Sequence, residues 1–348
     1  MIKRLLVVGL GSIGRRHARV ARTVLPGLEI VALRHRVSGA PSCEEVDRSV
    51  SSIAEAIACK PQAAIVANPA SYHVEVALPL ANAGVHLLVE KPISDHAEGV
   101  SGLIDICAQK SVTLMIGYNM RFLSSLRRFR ELIADRPVGR VLSVRAEVGQ
   151  YLPSWRPGSD YRSSVSARSA LGGGVLLELS HEIDYLRWLF GDVEWVSARL
   201  FRQSSLEIDV EDTAYLTLGF ACGADPQAIT GSLNLDFVRH DSTRSCTVIC
   251  EEGTLRWDAV AARVESFERG ATEWRVHSSE VAHRDDSYGA EWEHFLACIE
   301  SGAPPTVSGA DGLATLRVVE AAKEVSMTGA VVSIGRAEGG AGARGGVE

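Results

Sequence analysis

The sequence predicts an α/β protein with a doubly wound parallel sheet at its N-terminus and a second domain built on a mostly antiparallel sheet. Three observations support this class. Short apolar runs alternate with helical patterns over the first ~120 residues, a period of two in hydrophobicity follows, and 348 residues suffice for two domains.

The N-terminal elements follow from the apolar runs and the amphipathic segments between them. Unbroken Val, Ile and Leu runs are typical of strands that helices cover on both faces, and right-handed crossovers then favour a doubly wound sheet. We predict strands at 5–8, 29–33, 63–67, 86–89 and 113–117, and helices at 13–24, 52–58, 73–83 and 97–109.

The hydrophobicity pattern of the chain changes after residue 122. Alternating segments with turns at Glu252-Gly253 and Arg269-Gly270 predict an antiparallel sheet with one face covered. We predict helices at 123–134, near 288–301 and at 311–327, and strands at 141–148, 195–202, 214–220, 229–237, 245–249 and 263–267. The resulting domains are 1–121 and 122–334, and the Gly/Ala/Arg-rich end, 335–348, is expected to be disordered.

Composition excludes several classes of protein. The net charge of −7, from 43 acidic and 36 basic residues, argues against nucleic acid as a partner, because phosphate binding favours a basic surface. Seven cysteines without a CxxC pair indicate neither a disulfide framework nor a zinc site, and fit a reducing cytoplasm. No apolar stretch approaches the roughly 18 residues of a membrane helix, so we expect no membrane association.

The first motif is Gly9-Leu10-Gly11-Ser12-Ile13-Gly14, between the first strand and the first helix. In a dinucleotide fingerprint, Gly9 permits a tight turn, Gly11 lets the backbone approach a pyrophosphate, and Gly14 lets helix and strand pack closely. The N–H groups of Ser12 and Ile13 would then hold the anion. The alternative is a glycine-rich turn without a ligand.

The end of the second strand distinguishes NAD from NADP. An acid there would bind the ribose diol of NAD, whereas the sequence has Arg34 and Arg36. Arginine can make charge-assisted bonds to the extra phosphate of NADP, so we favour NADP over NAD. The alternative is that both arginines are solvated loop cations.

Three further strands end in polar residues that a ligand crevice would use, because such crevices lie at the carboxyl ends of parallel strands. Lys91, before Pro92, can donate to a substrate hydroxyl or transfer a proton, although a lysine before proline is usually a surface residue. The other candidates are Glu90, Asn68, Pro69 and His73 beside the cofactor and Asn119 beside the substrate.

Three glycines, 172–174, precede a predicted helix over 175–190. Leu179, Ile183, Leu186 and Phe190 form its apolar stripe. The opposite side gathers Glu178, His181, Asp184, Tyr185 and Trp188, which suggests the lining of a cleft. A helix at a domain or subunit contact is the alternative.

These motifs occur in one order, with Gly309-Ala310-Asp311-Gly312 before the last helix, and the chain resembles the glucose–fructose oxidoreductase / inositol dehydrogenase (Gfo/Idh/MocA) family over nearly its whole length. The resemblance implies a Rossmann domain and an α/β domain with a large open, mostly antiparallel sheet. That sheet would make a homodimer or homotetramer contact. The resemblance also implies NAD(P)-dependent hydride transfer at a secondary alcohol carbon of a sugar, polyol or nucleotide sugar.

The resemblance further implies roles for single residues. Lys91 would polarise the reacting hydroxyl, His181 would act as acid and base, and Asp184 would position the substrate or His181. A cis peptide before Pro92 is common in the family. Many members have an acid four residues before the histidine, where this chain has Leu177; Glu178 is a candidate substitute.

The segment 154–168 is a candidate substrate wall, because aromatic side chains stack on sugar rings and arginine binds carboxylate or phosphate. Trp155, Tyr161 and Arg162 are its candidate contacts, which suggests an acidic sugar or a sugar nucleotide; an ordinary mobile loop is the alternative. Two other functions remain open: a reductase of a non-sugar substrate, and a non-catalytic NADP-bound sensor or regulator. We expect no metal site, since no second histidine lies near His181 in the sequence.

Overall fold

The computed structural model describes residues 2–34, 44–221, 228–279, 283 and 285–334. Its N-terminal part is a parallel six-stranded sheet with the strand order β3-β2-β1-β4-β5-β6. The order reverses at β1, so the sheet is doubly wound as predicted. The strands are β1 (Arg4–Val8), β2 (Glu29–Leu33), β3 (Arg48–Val50), β4 (Ala63–Val66), β5 (His86–Glu90) and β6 (Leu114–Gly117).

Helices cover this sheet because its strands are apolar on both faces. The four residues of β4 and the middle residues of β5 are completely buried. The connecting helices are α1 (Ser12–Val24), α2 (Ile53–Ala58), α3 (His73–Asn82) and α4 (Val100–Gln109).

The second sheet has nine strands in the order β14-β13-β12-β11-β7-β10-β9-β8-β15. Only the pair β7 and β10 is parallel in the described register, so the sheet is mostly antiparallel, as expected. Its strands are β7 (Val141–Gly149), β8 (Val193–Phe201), β9 (Thr213–Phe220), β10 (Ile229–Asp236), β11 (Thr243–Cys250), β12 (Gly253–Asp258), β13 (Arg263–Glu268), β14 (Arg275–Ser278) and β15 (Val332–Ser333).

Helices cover one face of the large sheet and leave the other open. α5 (Ser124–Asp135) packs on β12 and β13, and α7 (His181–Phe190) packs on β7, after the single turn α6 (Val175–Glu178). On β9 the residues at even positions are buried, whereas Tyr215 and Thr217 are exposed. The alternation predicted from sequence therefore separates a helix-covered face from an open face.

The last two helices join the two sheets. α8 (Asp286–Ser301) packs against α1, and α9 (Gly309–Thr328) packs against α4, β6 and β8. A capping box between Ser308 and Asp311 fixes the start of α9 at the sequence 309–312 noted above. The C-terminal part of the chain therefore contributes to the packing of the N-terminal sheet.

The structure differs from the sequence predictions in three respects. The predicted helix over 175–190 is two helices, interrupted at Leu179 and Ser180. The short strands β3, β12, β14 and β15 had no prediction. The predicted disordered tail, 335–348, lies outside the described residues.

Within the described part of the chain, no helix combines the length and the apolar character needed to span a bilayer. The same residues contain no group of three or more His, Cys, Asp or Glu side chains arranged to hold a metal ion. The described cysteines, at positions 59, 107, 246, 250 and 298, are all buried free thiols.

Candidate active site

The glycine-rich turn at the start of α1 has the geometry of a dinucleotide cradle. Gly9 has a φ of +86°, and a Cβ there would lie 2.8 Å from the Ala67 carbonyl oxygen. A Cβ on Gly14 would collide with the Gly9 carbonyl oxygen, while one on Gly11 would meet open space. No side chain caps α1 and its first turn has no acid, so its N-terminal N–H groups are available to a phosphate. These residues fit a pyrophosphate.

The residues predicted to flank the cofactor lie at the same edge of the sheet. Arg34 directly follows β2, and its N–H donates to the Val50 carbonyl at 3.0 Å. Arg36 lies outside the described residues. Asn68 follows β4, where the buried side-chain oxygen has no hydrogen-bond partner among the described residues. Pro69 is partly exposed beside it.

Lys91 follows β5 and crosses to the second half of the molecule. The Lys91–Pro92 peptide bond is cis, as the resemblance implies. The ammonium Nζ donates to the carbonyl oxygen of Glu178 at 2.7 Å, where α6 ends. The strand end of one domain and the break between two helices of the other therefore meet at this lysine.

A buried chain of hydrogen bonds holds the backbone before Lys91. Trp292 Nε1–H can only donate, so His17 Nδ1 accepts it at 3.1 Å, and His17 Nε2–H donates to Glu90 Oε1 at 2.7 Å. The other Glu90 oxygen accepts the Lys91 N–H at 3.1 Å. Burial tends to raise the pKa of Glu90, but His17 and Lys91 hold it below its usual value. Glu90 was expected at the cofactor; being 7% exposed, it instead positions Lys91.

His181 is the first residue of α7, beside Lys91. Its Nδ1 is buried without a hydrogen-bond partner among the described residues, and its ring meets Tyr118 edge-on at 5.5 Å. Burial, together with the positive charges of Lys91 and Arg244, lowers the pKa of His181 well below its ordinary value. The imidazole is therefore neutral at physiological pH and able to accept a proton.

Two predicted substrate contacts are instead buried, because α7 is covered on nearly every side and not only along its apolar stripe. Asp184 is fully buried and takes a bidentate ion pair from Arg121, at 2.7 and 2.9 Å. Tyr185 is fully buried with its ring against Trp257, at 5.4 Å. Neither side chain can reach a substrate. The Asp184–Arg121 pair instead fixes α7 to the end of β6. Glu178 stays partly exposed at the break.

His73 and Asn119 also have structural partners. His73 is 2% exposed, and its two ring nitrogens lie 2.8 Å from the Asn68 carbonyl and 2.9 Å from the Pro92 carbonyl. It therefore braces the segments beside the cofactor cradle rather than contacting a cofactor, which corrects that prediction. The partly exposed Asn119 donates its amide to Ser287 at 2.9 Å and so ties the end of β6 to α8.

The predicted substrate wall, 154–168, is ordered by its own contacts. Trp155 donates to the Gln150 carbonyl at 3.0 Å and meets Phe237 edge-on at 5.2 Å. Arg162 forms ion pairs with Asp160 at 2.9 Å and Glu207 at 3.1 Å, and the Tyr161 hydroxyl accepts the Glu207 N–H at 3.2 Å. Arg162 was expected to bind an acidic sugar through its positive charge, but its two carboxylate partners neutralise that charge.

Sequence reasoning missed three residues at one end of the large sheet, one of which, Arg244, acts on the charge of His181. Tyr151 and His240 lie with ring centroids 4.3 Å apart, just beyond β7 and β10. Arg244, near the start of β11, pairs with Glu182 at 2.8 Å. The parallel register of β7 and β10 and the antiparallel β11 bring these positions to one edge. The alternation over 245–249 could have assigned Arg244 to the helix-covered face.

A separate cavity of about 380 Å³ adjoins Gly172 and Gly173, before α6. Its lining includes neither Lys91 nor His181, so the cavity and the candidate chemistry are at different places. The lining residues are Asp95, Ser169, Gly172, Gly173, Leu177, Leu200, Phe201, Arg202, Asp209, Val210, Glu211 and Lys323.

Comparison with known proteins agrees with this architecture. Residues 3–118 match the family model described as "Oxidoreductase family, NAD-binding Rossmann fold", and residues 126–256 match the GFO/IDH/MocA C-terminal domain. The chain is 28% identical to inositol 2-dehydrogenase of Rhizobium meliloti, covering 92% of this chain and 96% of that protein. It is 25% identical to D-xylose 1-dehydrogenase (NADP(+)) 2 of Haloferax volcanii, covering 76% and 78%.

A similar solved structure is the WlbA dehydrogenase from Bordetella pertussis in complex with NADH and UDP-GlcNAcA. Its TM-score is 0.80 at 23% identity, covering 96% of this chain and 99% of that one. At this identity the likeness shows a shared fold. With both halves matched in order, the chain belongs to the Gfo/Idh/MocA family of oxidoreductases and has that family's NAD-binding Rossmann domain.

Proposed function

We propose that the protein is an NAD(P)-dependent dehydrogenase or reductase acting on a secondary alcohol or ketone carbon of a sugar, polyol or nucleotide sugar. One observation carries this proposal: the Lys91 ammonium is anchored on the Glu178 carbonyl beside the neutral imidazole of His181, both next to a cradle that fits a pyrophosphate. A protein that only held a nucleotide would need the cradle but no such pair of groups.

The two side chains divide the proton chemistry. The Lys91 ammonium donates to the reacting hydroxyl and stabilises the negative charge that develops on its oxygen. A ring nitrogen of His181 accepts the hydroxyl proton during oxidation and returns it during reduction. The nicotinamide, when bound, exchanges the hydride with the same carbon, so a CHOH group becomes a ketone by loss of one proton and one hydride.

The relatives support the substrate class. Their names specify an inositol and D-xylose as substrates, and the WlbA structure contains a nucleotide sugar. We propose a polyhydroxylated substrate for this chain on the same ground. The partly exposed rings of Tyr151 and Trp155 and the exposed ring of His240 support it, because aromatic faces pack on sugar rings.

We propose NADP as the preferred cofactor. The described end of β2 has Arg34, and the sequence has no acid at that position. One relative carries NADP(+) in its name and the WlbA structure contains NADH, so both cofactors occur among the compared proteins.

We also propose that the open face of the large sheet packs against a second copy of the chain. That face exposes Tyr215 at 48%, in contact with Phe201 at 43%, with ring centroids 6.2 Å apart. Light scattering on the purified protein would give the oligomeric state, and Tyr215→Arg should lower it. A monomeric wild type would remove this proposal.

The test of the main function is turnover. Purified protein is mixed with NADP⁺ or NAD⁺ and a panel of polyols, aldoses, sugar acids and nucleotide sugars, and reduction is followed at the nicotinamide absorbance. The expected result is turnover with at least one substrate, lost in Lys91→Met and His181→Ala but not in the exposed-lysine control Lys110→Ala. Tight cofactor binding without turnover on any substrate would favour the non-catalytic sensor.

A further inference from the structure

Arg244 reaches the candidate active site from the large sheet. It lies near the N-terminal end of β11, opposite Val148 near the C-terminal end of β7. Its position in the alternation is that of the buried Cys246 and Val248, so it belongs to the helix-covered face. Its contact with Glu182, one residue after His181, confirms that the guanidinium lies beneath the start of α7.

The Arg244 guanidinium is only partly used by the protein. Nε lies 2.8 Å from Glu182 Oε1, and the side chain is 27% exposed. Among the described residues, Glu182 is the only carboxylate within ion-pair distance of Arg244. Burial raises the pKa of the Glu182 carboxyl, against the opposite effect of Arg244, so this partner is poorly suited to cancel the cation. One side of the planar donor group is thus left for another acceptor.

The other cation at the site also keeps its charge. Lys91 donates to a neutral carbonyl oxygen, that of Glu178, rather than to a carboxylate. Two arginines of the loop 154–168 differ, because Arg162 has two carboxylate partners and Arg168 lies 3.5 Å from Asp209. Lys91 and Arg244 are therefore less neutralised by carboxylates than these two loop arginines.

We propose that Arg244 is a substrate-binding residue and that the substrate is a polyhydroxylated molecule carrying an oxyanion, either a carboxylate or a phosphate. The guanidinium donates hydrogen bonds to this group at the sheet edge, while Lys91 and His181 act on a hydroxyl carbon of the same molecule. This inference names the substrate class of the site and so rests on the proposed function.

The test compares charged and neutral forms of one sugar. Glucuronate and glucose 6-phosphate each differ from glucose by an oxyanion, and kcat/KM is measured for all three with wild type, Arg244→Gln and Arg244→Lys. The control is Arg269→Gln, an exposed arginine in the turn after β13 that pairs with the exposed Glu252. We expect wild type to prefer a charged sugar, and the glutamine variant to lose roughly 10- to 100-fold on that sugar but less than about 3-fold on glucose.

The difference between sugars is the decisive quantity, because removing Arg244 also leaves Glu182 buried without its partner. The double variant Glu182→Gln/Arg244→Gln removes both charges and should show the same selective loss. An equal loss on charged and neutral sugars in both variants would overturn the role of Arg244. If the wild type preferred glucose, the proposal that the substrate carries an oxyanion would be wrong.

A binding measurement separates this inference from the proposed function. The rise in melting temperature that glucuronate or glucose 6-phosphate produces is measured on the complex with NADPH, where no turnover is needed. A rise that Arg244→Gln abolishes, without oxidation of any sugar, would support the subsite and contradict the dehydrogenase. Turnover of neutral sugars, with no rise in melting temperature from either anion, would support the dehydrogenase and contradict the oxyanion subsite.

Discussion

The Lys91 ammonium takes the carbonyl that a continuous helix would have used. In an unbroken helix the N–H of Glu182 would donate to the carbonyl of Glu178; here it donates to Leu179 at 3.2 Å. The freed Glu178 oxygen accepts Lys91 Nζ at 2.7 Å. The break between α6 and α7 thus creates the acceptor that fixes the lysine and, three residues on, places His181 at a helix start.

Lys91→Met should abolish catalysis while leaving the cofactor cradle intact. The change removes the charge on the reacting oxygen and the contact to Glu178, and we expect kcat/KM to fall by at least about 1,000-fold. Binding of NADPH, measured by its fluorescence, should change by less than about 5-fold, since the glycine turn is untouched. Lys110→Ala is the control, and catalysis that survives in Lys91→Met would contradict the proposed role.

The pH profile of oxidation should respond to Arg244. His181 must be neutral to accept a proton, so the rate falls as the pH drops through its pKa. Burial, then the charges of Lys91 and Arg244, keep this pKa low. Arg244→Gln removes one of these two positive charges. The acidic limb of kcat/KM for a neutral substrate should therefore move to higher pH, whereas Arg244→Lys should leave it in place. Identical limbs in wild type and Arg244→Gln would exclude this coupling.

Arg121→Met should destabilise the fold strongly. Arg121 is 3% exposed and binds Asp184, Asp311 and the carbonyl of Thr306, so its loss leaves buried carboxylate uncompensated. We expect the free energy of unfolding to fall by about 3–5 kcal/mol in a denaturant titration. The matched surface pair is Arg128–Glu131, where Arg128→Met should cost less than about 0.5 kcal/mol. Equal costs for the two changes would refute the buried network.

Glu291→Gln should flatten the dependence of stability on pH. Both carboxyl oxygens of Glu291 are buried without a partner among the described residues, and burial, then the nearby Glu90, raise the pKa well above its usual value. The folded state therefore holds the proton more tightly than the unfolded state, whose pKa is about 4.3. The free energy of unfolding should fall as the pH rises above that value, by at most ~1.4 kcal/mol per pH unit.

The measurement is the melting temperature of wild type and Glu291→Gln between pH 4 and pH 8. The melting temperature of the variant should rise relative to that of the wild type as the pH increases. Glu300→Gln, an exposed glutamate on the same helix, should follow the wild-type curve. Parallel curves for wild type and Glu291→Gln would show that the carboxyl is not held neutral.

Arg34→Ser should change cofactor selectivity. Loss of a charge-assisted bond to the ribose phosphate should lower kcat/KM for NADP⁺ by about 10-fold or more, with less than about 3-fold change for NAD⁺. Arg48→Ser, at the exposed start of β3, is the control. A uniform loss with both cofactors would assign Arg34 a structural role instead.

The sequence alone determined the parts of this protein that depend on short-range pattern. Buried parallel strands have apolar inner positions, so β1, β2, β4, β5 and β6 were predictable, and the pattern of three glycines indicated the turn after β1. The order of the Glu90-Lys91-Pro92 and His181 motifs sufficed for the family. The period of two likewise identified most of the second sheet, though not β12, β14 or β15.

Only the tertiary structure decided what the side chains of α7 do. A helical wheel drawn over 175–190 assumes a constant 100° per residue, and that assumption fails where Lys91, 87 positions earlier in the chain, takes the Glu178 carbonyl. Within α7 the spacing of 100° per residue holds, but Arg121 covers the side of the helix that bears Asp184, and Arg244 reaches His181 from a strand 63 residues away. These contacts join distant segments, and no local periodicity encodes which distant side chain will occupy a given backbone acceptor.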